Sequence, residues 1–101
     1  MLRIKLQTDE LIAMIRMVAD CEKQLNRSYQ ERLTREILQI WLRKMAVKLM
    51  TPGAGNHSFA LDRLTLLALD HCLAFAEAPS GFHTYVLTKV QLIINPACLS
   101  I

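Results

Sequence analysis

The sequence predicts a mainly α, four-helix bundle-like domain with a short N-terminal β-strand, and three observations carry that prediction. Hydrophobic residues make up 52% of the 101 positions, enough for a packed core and incompatible with intrinsic disorder. Apolar residues recur at helical spacing over long windows. Three Gly and three Pro punctuate the chain, and they fall at 52–55, 79–81 and 96, where helices would end. The length suits a single domain over 1–101.

Leu2, Ile4 and Leu6 alternate with Arg3, Lys5 and Gln7, the period of a strand over 2–7 with one apolar face. Its unpaired backbone calls for a partner, from the last segment or from a second copy. Thr8, Asp9 and Glu10 then read as a helix start, a capping hydroxyl followed by carboxylates at the positive end of the dipole. The first helix runs over about 9–26, with Leu11, Met14, Val18, Cys21 and Leu25 on one arc and Arg16, Asp20 and Lys23 opposite. Glu22 falls inside the apolar arc, and an antiparallel neighbour would offer it Arg32.

Ser28 and Glu31 form a capping box for a second helix over 29–50. This helix carries two apolar stripes, one of Tyr29, Leu33, Ile40 and Val47, the other of Leu38, Trp41, Leu42, Met45 and Leu49. Two stripes imply neighbours on two sides. Its polar arc places Glu31 four residues before Arg35, and Arg32 four before Glu36, the spacing of intrahelical ion pairs. TPGAGNHS, 51–58, is a loop because Pro52, Gly53 and Gly55 resist helix. A third helix over about 59–78 is apolar around most of its circumference, so it should be central. Leu66 and Leu73 fall among its polar residues Asp62, Arg63, Asp70 and Glu77 and would need cover from another subunit.

The segment 82–94 fits either period: its length favours a helix and its β-branched residues a strand. The helix is adopted here. The alternative is an α+β fold of three helices plus a two-stranded ribbon formed by 2–7 and 84–94. Asn95 and Pro96 should end the element in both cases.

Functional signals are sparse. The formal charge is +3, divided as +4 over residues 1–51 and −1 over 52–101. Cys21, Cys72 and Cys98 are an odd set without close spacing, which suits free thiols in a reducing compartment. The N-terminus has no uninterrupted apolar core of a secretory signal, and the apolar stretch 59–78 is broken by Asp62, Arg63, Asp70 and His71. Cytoplasmic localisation without a membrane is therefore expected. Asp70, His71 and Cys72 are consecutive and diverge by about 100° on a helix, and no paired ligand motif is present, so neither metal nor cofactor is expected. His71 should lie in the core between Leu64, Leu67 and Phe75. The glycine loop lacks the GK[ST] ending of a phosphate cradle and reads as a connector.

The leading functional expectation is a non-enzymatic protein-interaction or assembly module, homo-oligomeric, with Leu2, Ile4, Leu6, Leu66 and Leu73 at the interface. The alternative is a nucleic-acid-binding accessory protein, or a binder of an acidic partner, using Arg27, Arg32, Arg35 and Arg43 along the second helix. Third stands a small enzyme whose site forms between subunits from His57, His83 and Asp70. The absence of a convergent polar motif weighs against an enzyme, and no catalytic residue is assigned.

Overall fold

The computed structural model describes residues 2–50 and 55–99. The order is β1 (Leu2–Gln7), α1 (Thr8–Glu22), α2 (Tyr29–Leu49), β2 (Asn56–Leu61), α3 (Arg63–Leu73) and α4 (Gly81–Leu99). The fold is mainly α, with four helices and a small antiparallel ribbon.

The partner of the N-terminal strand is β2. Leu2 lies opposite Leu61, Ile4 opposite Phe59 and Gln7 opposite Asn56. Inward residues Ile4, Leu6, His57, Phe59 and Leu61 are buried, while Arg3, Lys5, Asn56 and Ala60 face water. The alternation of His57, Phe59 and Leu61 is the period-2 signal of a half-buried strand. That signal corrects two expectations at once. The predicted loop 51–58 gives way to strand from Asn56, its residues 51–54 lying outside the described ones, and the third helix does not begin at 59. Phe59 and Leu61 also fit a helical arc with the leucines that follow, which hid the strand.

Asp62 is the cap of α3: its carboxylate accepts the Thr65 amide at 2.7 Å. The Thr65 amide foremost, helped by the neighbouring Thr65 hydroxyl, holds the Asp62 carboxyl below its ordinary value. With the cap at Asp62 and the helix ending at Leu73, Asp62 and Glu77 are not on the helix at all. The polar strip that placed Leu66 and Leu73 at a surface therefore dissolves, and both are buried, at 4% and 2% exposure. The expectation of an interface at Leu66 and Leu73 is thereby corrected, and so is that at Ile4 and Leu6: all four pack into this chain's own core. Leu2 is half-buried against the same core.

The central element is α1 rather than α3. It touches α2, α3, α4 and both strands, and buries Leu11, Met14, Met17 and Val18. Its start agrees with the sequence to one residue, Gln7 being the cap and Thr8 the first helical residue; it ends at Glu22 instead of 26. The segment 82–94 is helical, and the strand alternative is overturned along with the ribbon of 2–7 and 84–94. The helix runs through Pro96 to Leu99. A proline removes one helical hydrogen bond, here that to the Leu92 carbonyl, and Leu92 is solvent-exposed, so water can serve that carbonyl instead.

Candidate interaction surface

α2 packs on the bundle through Leu38, Trp41 and Met45, flanked by the half-buried Leu42 and Leu49. This is the second of its two apolar stripes, and it meets α1 and α3. The first stripe finds no cover among the described residues. Tyr29 is 73% exposed, Leu33 43%, Ile40 49% and Val47 66%. At 100° per residue these four fall within about 40° of one another and roughly opposite the buried stripe. The expectation of neighbours on two sides is met on one side by the fold, and the other side is open.

The polar residues of α2 are not arranged as spacing predicts. Arg35 Nε donates to Glu22 Oε2 at 2.9 Å instead of pairing with Glu31. Glu22 is buried in the groove between α1 and α2, and its antiparallel partner is Arg35, one turn beyond the predicted Arg32. The Glu31 carboxylate accepts the Arg27 amide at 2.7 Å, and Ser28 Oγ accepts the Glu31 amide. The predicted cap is real, but Glu31 is consumed by it. Arg43 Nε donates to the Gln39 carbonyl at 3.3 Å. Among the described residues no ion pair uses Glu36, Arg32 or Arg43. Of the basic row Arg27, Arg32, Arg35 and Arg43, then, Arg35 is committed to Glu22 and the others stand exposed.

Two further apolar areas are open. A groove of about 500 Å³ between α2 and α3 is lined by Thr34, Ile37, Leu64, Leu67, Ala68 and His71. His71 is exposed there, stacked edge-on against the exposed Phe75 with ring centroids 5.5 Å apart. Its predicted place in the core is corrected, because α3 buries the face of Leu66, Leu69, Cys72 and Leu73 and turns Leu64, Leu67 and His71 outward. The second area, on α4, holds Tyr85, Thr88 and Leu92.

Lys89 borders that α4 area and reaches Glu10 Oε2 at 2.8 Å. Glu10 is buried, and its other oxygen accepts the Gln7 amide at 2.9 Å. Burial pushes the Glu10 carboxyl up, but the Lys89 and Gln7 hydrogen bonds together outweigh it and hold it below its ordinary value. The same hydrogen bond raises Lys89. This pin between α1 and α4 was invisible in the sequence, since the residues are separated by 79 positions. It is an anchor of the fold, fully occupied by its own partners.

No protein-family model, curated protein or solved structure matches the chain.

The residues of the enzymatic reading lie on three different elements, β2, α4 and α3. His57 is buried on β2 with Nε2 3.0 Å from the Thr8 hydroxyl. His83 Nδ1 lies 2.6 Å from Ser80 Oγ at the start of α4, and Asp70 is half-buried on α3. Among the described residues no hydrogen bond joins any two of them, and no group of three His, Cys, Asp or Glu is placed to hold a metal ion. Cys21 Sγ donates to the Cys72 carbonyl at 3.1 Å, both cysteines buried. Burial, reinforced by Cys21, pushes the Cys72 thiol far above its ordinary value, away from the thiolate a nucleophile needs. Among the described residues no helix is long and apolar enough to cross a membrane.

Proposed function

We propose that this chain is a non-enzymatic interaction or assembly module that self-associates in the cytoplasm. The observation that carries the reading is the second apolar stripe of α2, a row of Tyr29, Leu33, Ile40 and Val47 left in water by the fold. A row of exposed apolar side chains along one helix face is the kind of surface on which a partner docks. The surface differs from the one the sequence indicated, since Ile4, Leu6, Leu66 and Leu73 are spent on the core. His57, His83 and Asp70 sit on three different elements with no hydrogen bond between any two of them among the described residues, which favours the non-enzymatic side of the proposal.

Light scattering behind size exclusion, from low to tens of micromolar protein and at low and moderate salt, tests it. Mass above that of one chain at both salts is the expected result, and a monomer throughout overturns it. The second reading, nucleic-acid binding, is favoured by the exposed Arg27, Arg32 and Arg43. It requires co-elution with nucleic acid that falls steeply as salt rises.

A further inference from the structure

We infer that the occupant of the open α2 face is a second copy of this chain, docked antiparallel about a two-fold axis at Ile40, with Glu36 of each copy beside Arg43 of the other. The inference rests on the self-association reading above and supplies its geometry.

The argument begins with positions along the helix. Leu33, Ile40 and Val47 are spaced by seven, and Tyr29, Glu36, Arg43 and Met50 interleave at the other heptad position. The interleaved set contains the two charges of the stripe, one of each sign, and neither has an ion-pair partner among the described residues. At 1.5 Å per residue, Glu36 sits about 6 Å before Ile40 and Arg43 about 4.5 Å after it. A two-fold axis perpendicular to the helix reverses one copy, so the two charges meet at nearly the same height. Both lie on the same side of the stripe, at about −20° and −40° from Tyr29, and such an axis keeps that side common to the two copies. Two symmetric ion pairs result.

The apolar residues obey the same symmetry. Leu33 and Val47 are each about 10.5 Å from Ile40, so Leu33 of one copy opposes Val47 of the other, twice, around Ile40 against Ile40. Tyr29, about 16.5 Å away, meets Met50, about 15 Å away on the other side. A parallel pairing would instead bring Glu36 level with Glu36 and Arg43 level with Arg43 on opposite flanks of the seam, so that neither ion pair forms. Self-complementarity under reversal is what an isologous interface requires. The face is accessible because it lies opposite Leu38, Trp41 and Met45, the residues that seat α2 on its own bundle.

Single charge reversals test the pairing on surface residues whose substitution leaves the fold intact, verified by circular dichroism. Glu36→Arg alone and Arg43→Glu alone each create two like-charge contacts and should weaken self-association by about tenfold or more. Mixing the two variants should restore it as a heterodimer, since every contact is again between opposite charges. Leu33→Cys mixed with Val47→Cys, in a Cys98→Ser background, should cross-link through a short bis-maleimide, whereas a parallel pair holds those positions about 21 Å apart. A wild-type oligomer unaffected by either reversal, a mixture that fails to recover, or absent cross-linking overturns this register while self-association stands. A wild-type chain that stays monomeric overturns both, and leaves a different protein as the occupant of the face.

Discussion

Replacing Lys89 with methionine keeps most of the side-chain volume on α4 and removes the ammonium that neutralises Glu10. In the native protein Lys89 is 36% exposed by side chain and Glu10 5%. Removing one partner of a fully buried pair destabilises by about 3–5 kcal/mol; solvent around Lys89 screens part of this, which leaves about 1–2 kcal/mol at neutral pH. The dependence on pH distinguishes charge from packing. Because the folded carboxyl of Glu10 is held below its unfolded value, its contribution is present above the unfolded value and is lost as pH falls through the folded one. In Lys89→Met the burial of Glu10 is opposed only by the Gln7 amide and neighbouring Tyr85, so its carboxyl rises and protonation relieves the buried charge. The deficit relative to wild type should therefore be largest near neutrality and shrink at about pH 3, below the reference glutamate value of about 4.3. Urea unfolding followed by fluorescence of the buried Trp41 reads this directly. Equal destabilisation at both pH values, or none near neutrality, refutes the reasoning.

Asp62→Ala removes the cap of α3 and should destabilise by about 1 kcal/mol at neutral pH. The loss diminishes as acid protonates the wild-type carboxyl, itself held low by Thr65; thermal unfolding over a pH series checks both parts. Leu66→Ala should cost about 2–5 kcal/mol in chemical denaturation, because Leu66 is a core residue. Substitution of an exposed interface leucine would leave the monomer's stability within about 0.5 kcal/mol. Alkylation followed by mass spectrometry should modify Cys98 before Cys21 and Cys72, which are sealed in the core and react only on unfolding.

The helices were legible wherever periodicity and punctuation agreed. Ser28 announces α2, the carboxylates after Thr8 announce α1, and β1 is written in the alternation of Leu2, Ile4 and Leu6. What escaped depended on contacts between distant residues. β2 was hidden because Phe59 and Leu61 satisfy two periods, and only pairing with β1 selects one. The inward face of α3 was misread because leucines occupy both faces, and the choice belongs to α1 and α4 rather than to α3 itself. Pro96 failed to stop α4 because a proline costs the helix one bond, and the acceptor it leaves belongs to the solvent-exposed Leu92. Charge pairing went astray for a related reason: local spacing offers Arg35 the carboxylate of Glu31, but the buried Glu22 on α1 binds it more strongly for want of water. The site was half legible. The second stripe of α2 was plain in the sequence, but that it stays exposed could be seen only after the fold had seated α2 through Leu38, Trp41 and Met45.

The central claim is that this stripe, and no other exposed apolar area, drives self-association. Sedimentation velocity of wild type beside Ile40→Asp and Leu92→Asp, all at tens of micromolar and verified as folded, tests it most directly. Ile40→Asp places two carboxylates on the two-fold axis and should sediment as a monomer, while Leu92→Asp, on the α4 patch, should associate as the wild type does. An Ile40→Asp chain that still associates, or a Leu92→Asp chain that does not, contradicts the claim.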